Sequence, residues 1–137
     1  MLARPSVLVR TILKSAIRVH RALGPGLLEA AYESCLTHEL IRARIPFKRQ
    51  VAVPLDYDGV RLDCVYRADL VVDDRVLLEI KSVDHLAPVH TSQVITYLRL
   101  LGLTQGILLN FNERRLKDGI KNVLLTDPSE RRRQPPG

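Results

Sequence analysis

Apolar positions along this chain follow two rhythms, and the change between them divides it into elements. Val9, Ile12, Leu13, Ala16, Ile17 and Leu23, with His20 on the same stripe, recur at helical spacing until Gly24-Pro25-Gly26 stops them. A second stripe, Leu28, Ala31, Tyr32, Cys35 and Leu36, predicts a helix over residues 27–44, with Glu29 on its flank and Glu33 further round towards solvent. After Ile45-Pro46 the period drops to two. Residues 50–56 read as a strand, Asp58-Gly59 as a turn, and a short second strand starts at Val60, followed by one strand around Asp69 and another ending at Lys81. A loop holding His85 and Pro88 leads to a helix over residues 89–101, with Val94, Tyr97, Leu98 and Leu101 on one side and Gly102 as its cap. Residues 106–111 form a buried apolar strand, and residues 116–125 fit either a strand or a helix. The predicted order is α-α-β-β-β-β-α-β, an α/β arrangement of one mixed sheet flanked by helices.

Charged residues interrupt the two central strands at matching places. With Asp73-Asp74-Arg75 as a hairpin loop, Val72 faces Val76, Leu70 faces Leu78 and Asp69 faces Glu79; alternation puts Lys81 on the face of Glu79. Opposed residues lie about 4.5–5.5 Å apart at Cβ, so two carboxylates there repel unless a cation or a proton sits between them. A divalent metal is the economical explanation. The bland alternative makes Glu79 and Lys81 a solvated ion pair on an edge strand, worth about 0–1 kcal/mol.

The 137 residues suffice for one domain without a disulfide or structural metal; residues 1–126 read as that domain and 127–137 as a basic, disordered tail. Cys35 and Cys64 are too few for a four-cysteine zinc or iron–sulfur site and read as reduced packing residues. The first fourteen residues carry Arg4, Arg10 and Lys14 and lack the unbroken apolar stretch of a leader or a membrane span, so a cytoplasmic protein with no membrane partner is expected. A net charge of +6, with five basic residues and no acid in residues 1–28, favours a polyanionic partner.

Gly26-Leu27-Leu28-Glu29-Ala30-Ala31-Tyr32 then occurs together, and in order, with Tyr66-Arg67-Ala68-Asp69-Leu70, Glu79-Ile80-Lys81, Gln93-Val94-Ile95-Thr96-Tyr97, Asn110-Phe111-Asn112 and Leu116-Lys117-Asp118-Gly119-Ile120. On these motifs the chain resembles the small GxxExxY proteins, a branch of the PD-(D/E)XK nuclease superfamily, from about Val19 to Leu125. The resemblance implies a restriction-endonuclease-like core in which Asp69, Glu79 and the backbone carbonyl of Ile80 hold Mg²⁺ or Mn²⁺. It makes Glu29 an additional acid at the metal, puts Lys81 beside the attacking water, and matches Gln93 and Tyr97 to the Gln-xxx-Tyr helix of RecB-like nucleases. Superfamily members with an iron–sulfur cluster need four cysteines, which this chain lacks.

The residues support the same chemistry independently. Phosphodiester hydrolysis needs a hard cation with oxygen ligands, and lysine supplies a point charge suited to positioning water and meeting phosphoryl oxygens. Gln93 and Tyr97, four apart, share a helix face; Tyr97 reads equally as a core aromatic or a substrate contact. Arg67 is open between a phosphate contact and a salt bridge with Asp69 or another acid, and Tyr32 reads as core packing. His85 and His90 are five apart with no accompanying cysteine, which suits loop or capping roles better than zinc, and Gly24-Pro25-Gly26 lacks the Lys-Ser/Thr ending of a phosphate loop. The expected function is a metal-dependent nuclease acting on DNA or, as second choice, RNA. The alternative keeps the fold as a non-catalytic nucleic-acid-binding or assembly subunit, and either reading allows a homodimer or a partner subunit.

Overall fold

The computed structural model describes residues 6–125, except the side chains of Asp63, Cys64 and Val65. The tail 127–137 and the packing expected of Cys64 therefore lie outside the described residues. Helices α1 (Val7–Leu23) and α2 (Glu29–Arg42) precede strands β1 (Phe47–Tyr57), β2 (Val60–Val72) and β3 (Val76–Lys81). Helix α3 (Pro88–Leu101) then crosses to β4 (Gln105–Asn110), and a short 3-10 helix (Leu116–Gly119) leads into β5 (Ile120–Leu124). The α/β architecture is as expected, with two changes in the count. The short strand after Val60 and the strand around Asp69 are one continuous strand, because no Gly or Pro breaks the run between them. The ambiguous last segment divides into the 3-10 helix and β5.

The sheet runs in sequence order β1-β2-β3-β4-β5; β3 and β4 are parallel and every other pair is antiparallel. The parallel pair needs a long crossover, which α3 supplies. Helices α1 and α2 cover one face, where Ile12, Ala16, Tyr32 and Leu36 meet Leu70, Leu78, Ile80 and Leu109. On the other face Val94, Tyr97 and Leu98 of α3 pack on Leu77, Leu108, Val53 and Ala68. The central strands β3 and β4 are therefore covered on both sides, and their runs Val76–Ile80 and Gly106–Asn110 are buried throughout. Gly106 lies under α3, and a Cβ at this position would stand 2.7 Å from Val94 Cγ1.

Two irregularities shape the β1–β2 hairpin. Its tip is the expected two-residue turn, with Asp58 (φ 52°) and Gly59 (φ 75°) both left-handed and Tyr57 paired to Val60. The register shifts between Val53 and Leu55, where Pro54 has no N–H for the ladder. Further along, Gln50 is left-handed at φ 50°, an uncommon conformation inside a strand. Phe47 packs on the α1/α2 side of the sheet, whereas Val51 and Val53 pack on the α3 side. The hairpin partner inverts at the same level, with Leu70 on the α1/α2 side and Ala68 on the α3 side. Residues of equal parity thus change faces across Gln50 and Asp69, so the hairpin turns a corner at this level.

Candidate active site

The corner is also where β2 and β3 separate. Their ladder holds Val72↔Val76, Val71↔Leu77 and Leu70↔Leu78, the expected register, and extends no further. Beyond it the two acids interlock with the opposite backbones: Asp69 N donates to Glu79 Oε1 (3.0 Å) and Ile80 N donates to Asp69 Oδ2 (2.8 Å). Each carboxylate is thereby drawn into the gap between the strands. In an extended strand the N–H and C=O of one residue point the same way, so the Ile80 carbonyl faces this gap as well. The next carbonyl, that of Lys81, points to the other side and accepts from Phe111 N (2.9 Å).

Glu79 is only 3% exposed. Burial first, and the nearby Asp69 carboxylate second, push its pKa up to about 8. Asp69 is also raised, chiefly by burial, although the Ile80 amide works in the opposite direction. Two acids thus share one gap without a full counter-charge. The nearest cation is Lys81, whose Nζ lies 3.9 Å from Glu79 Oε2.

Lys81 is held from its other side. Its Nζ donates to Gln93 Oε1 (3.3 Å), and Gln93 Nε2 donates to the Tyr97 hydroxyl (3.1 Å). With the amide oxygen turned to the ammonium and the amide nitrogen to the phenol, Gln93 satisfies both neighbours. Tyr97 is buried, and its hydroxyl is made less acidic by burial and by the charge of Glu79. Its ring lies 5.9 Å from that of the half-exposed Tyr66 at the outer edge of the site. The core reading of Tyr97 holds, since its ring packs under α3, and its hydroxyl is engaged with Gln93.

A family model, that of the PD-(D/E)XK nuclease superfamily, matches residues 6–123. The chain belongs to this superfamily. No curated protein and no solved structure matches it significantly. The letters of the superfamily name fall on Asp69, Glu79 and Lys81, with Ala68 where the name has proline. PD-(D/E)XK nucleases generally use divalent metals. Here two carboxylates and a carbonyl turned into one gap form a hard-oxygen donor set that suits such an ion. Among the described residues no group of three His, Cys, Asp or Glu side chains could hold a metal. Glu29, the additional acid expected here, stands at the rim of the gap, near enough for its charge to act on Glu79.

Glu29 is exposed in the first turn of α2, where a negative charge suits the helix dipole, and its Oε1 accepts from Ser82 N (3.2 Å). Ser82 Oγ donates to Leu27 O (2.6 Å), and Tyr32 holds the same loop by donating to Gly24 O (2.6 Å) and accepting from Leu27 N (3.1 Å). Tyr32 is a core residue as expected, stacked on Phe111 with ring centroids 4.5 Å apart. In this PD-(D/E)XK domain its hydroxyl also fixes the loop that presents Glu29.

Other expectations need correcting. Glu33 does not face solvent; it is 7% exposed and accepts from Arg49 (2.8 and 3.1 Å) and from Gln50 Nε2 (2.9 Å). The helical count put it on the outer side of α2, but β1 lies against that side. Arg67 donates to the Gln50 carbonyl (3.3 Å) rather than pairing with Asp69. His90 has the capping role expected of it, with Nδ1 accepting from Ala87 N (2.9 Å), while His85 is exposed.

Gln50, Glu33 and Ser82 are the contacts that sequence reasoning missed. Gln50 Nε2 bridges Glu33 Oε1 and Asp69 Oδ1 (3.4 Å) and so ties α2 to the site. Counting back from the Asp58-Gly59 turn without a shift sets Arg67 opposite Gln50. The shift at Pro54 sets Asp69 there instead, and this proline was the available signal.

Proposed function

We propose that the protein is a metal-dependent nuclease of the GxxExxY branch that hydrolyses phosphodiester bonds in DNA and works in the cytosol. The observation that carries this reading is the interlocked pair of the buried Glu79 and the half-buried Asp69, two acids sharing a gap with the Lys81 ammonium at its edge. Asp69, Glu79 and the Ile80 carbonyl would hold Mg²⁺ or Mn²⁺, with Glu29 as an additional acid at the rim. Such an ion, when bound, neutralises phosphate charge and makes hydroxide available near neutral pH.

The chain's own groups supply the rest. Lys81, fixed by Gln93, donates hydrogen bonds to the attacking water and to a phosphoryl oxygen; as an ammonium beside two carboxylates it acts by position and charge rather than as a base. Tyr97 fixes the amide of Gln93, and Arg67 meets a flanking phosphate from the exposed side of β2.

The test incubates pure protein with single-stranded, double-stranded and branched DNA, and with RNA, in Mg²⁺, Mn²⁺ or EDTA. Cleavage that requires the metal and is lost in Lys81→Ala supports the reading. Metal-independent nucleic-acid binding with no cleavage of any substrate points instead to a binding or assembly subunit.

A further inference from the structure

A second, oppositely charged feature lies on the other side of the loop that carries Glu29. Arg21 at the end of α1 and Arg114, Arg115 and Lys117 after β4 line a pocket of about 520 Å³ whose lining includes no carboxylate. Ile17 and Arg21 also line a neighbouring groove of about 650 Å³ between α1 and α2 that contains Lys14, Arg18 and Arg42. The groove is partly neutralised, since Arg18 and Arg42 share Glu39 at 3.5 and 3.9 Å. In the pocket Arg115 lies 3.5 Å from Asp118, whereas Arg21, Arg114 and Lys117 have no ion-pair partner among the described residues.

The fold brings these cations together from two stretches far apart in the chain. His20, buried in α1, donates to the Glu113 carbonyl (2.8 Å) and so fastens the segment after β4 to that helix. Arg21 has a local reason for its position, because a cation suits a helix C-terminus. Arg114 lies in no helix, and Lys117 sits in a single 3-10 turn of four residues, far shorter than α1. Gathering like charges in one concavity costs energy that a bound anion would offset.

We infer that this pocket is a second phosphate site, which grips the backbone of the nucleic acid being cut a short way along from the scissile bond. This rests on the nuclease reading. The loop 24–28 forms the wall between the two sites, with Gly24 and Pro25 lining the pocket and Leu27 and Glu29 bonded to Ser82 beside the acids. Glu29 is four residue steps beyond Pro25, at most about 14 Å of chain. At roughly 3.4 Å of rise per nucleotide, that span corresponds to no more than about four nucleotides, so the gripped phosphate is a few nucleotides from the cut.

The experiment measures binding of a fluorescein-labelled DNA of about 20 nucleotides by anisotropy, in EDTA, over a range of salt concentrations. The proteins compared are the full chain, R114E/K117E, the milder R114Q/K117Q, and K48E/R75E. The last makes the same change in net charge at the far end of the sheet, where Lys48 and Arg75 pair with Asp74 and Asp73. Circular dichroism confirms that each variant is folded. The expected result is a Kd raised about tenfold or more in R114E/K117E, a smaller rise in R114Q/K117Q, and a salt slope shallower by about 1.4 to 2 in both. Little change is expected in K48E/R75E. If the full chain binds and the pocket variants match it or K48E/R75E, the pocket is not a phosphate site, although the nuclease reading stands. If the full chain binds no polynucleotide at low salt, both inferences fail.

Discussion

The two ends of the β2–β3 hairpin are built from the same strands and do opposite things. Near the turn, Val72↔Val76, Val71↔Leu77 and Leu70↔Leu78 form a regular ladder of buried apolar pairs. One residue further, the ladder gives way to carboxylates bonded to the facing backbones, and the strands part. The apolar end fixes the register to a single residue, since a slip by one would turn every core side chain outwards. This precision holds two acids side by side in one gap. The closed end supplies stability, and the open end uses some of it to bury charge.

The sharpest break in this contrast comes at the open end. Asp69→Ala and Lys81→Ala are each expected to lower metal-dependent cleavage by about 10²-fold or more while leaving the circular dichroism spectrum unchanged. At the closed end Leu78→Ala is expected to destabilise the fold by about 2–5 kcal/mol in urea denaturation, through the cavity it leaves. A large activity loss without unfolding in Leu78→Ala, or unfolding in Lys81→Ala, would erase the distinction between the two ends.

A divalent ion should stabilise the open end directly. At about 100 times its Kd, Mn²⁺ is expected to add roughly 2.7 kcal/mol and raise the Tm of the wild-type chain but not that of Asp69→Ala. No difference between the two proteins in a thermal scan would remove Asp69 from the ion.

Glu79 gives the finest test. The folded chain holds its proton up to about pH 8, whereas the ordinary glutamate value is 4.5. The native state thus binds more protons than the unfolded state between these values, and stability falls as pH rises through that window. Glu79→Gln, which stays neutral, should match wild type near pH 4 and exceed it in Tm by at least about 4 °C at pH 8 without metal. An advantage independent of pH would mean that Glu79 is already ionised in the fold.

Much of this hairpin was legible in the sequence because its signals are local. Asp73-Asp74-Arg75 sets the loop, both aspartates take the left-handed conformation at φ 53°, and the register follows by counting. The pairing of Asp69 with Glu79, and Lys81 on the same face, needed nothing more. Gln93 and Tyr97 were singled out by the family resemblance, and helical spacing added that they share one face of α3. The corner at Gln50 was not, because it depends on where Pro54 shifts the register and on a backbone angle that no residue type announces. Glu33 was misjudged for a related reason: the helical pattern cannot tell that β1 will cover the polar side of α2. Sequence periodicity reports which positions are apolar, whereas buried ion pairs depend on elements that meet only in the folded chain.

The missing side chain at Gly106 has a consequence at a distance. With Val94 Cγ1 only 2.7 Å from where a Cβ would stand, the crossover helix sits as low on the sheet as the backbone permits. Gln93 is the neighbour of Val94 in that helix, and it meets the lysine amine at 3.3 Å. A single methyl group at position 106 would act as a shim, tilting the helix by a fraction of an ångström and detuning the amine without touching it. The reach of Lys81 is thus set partly by a hydrogen atom buried at the opposite end of the neighbouring strand.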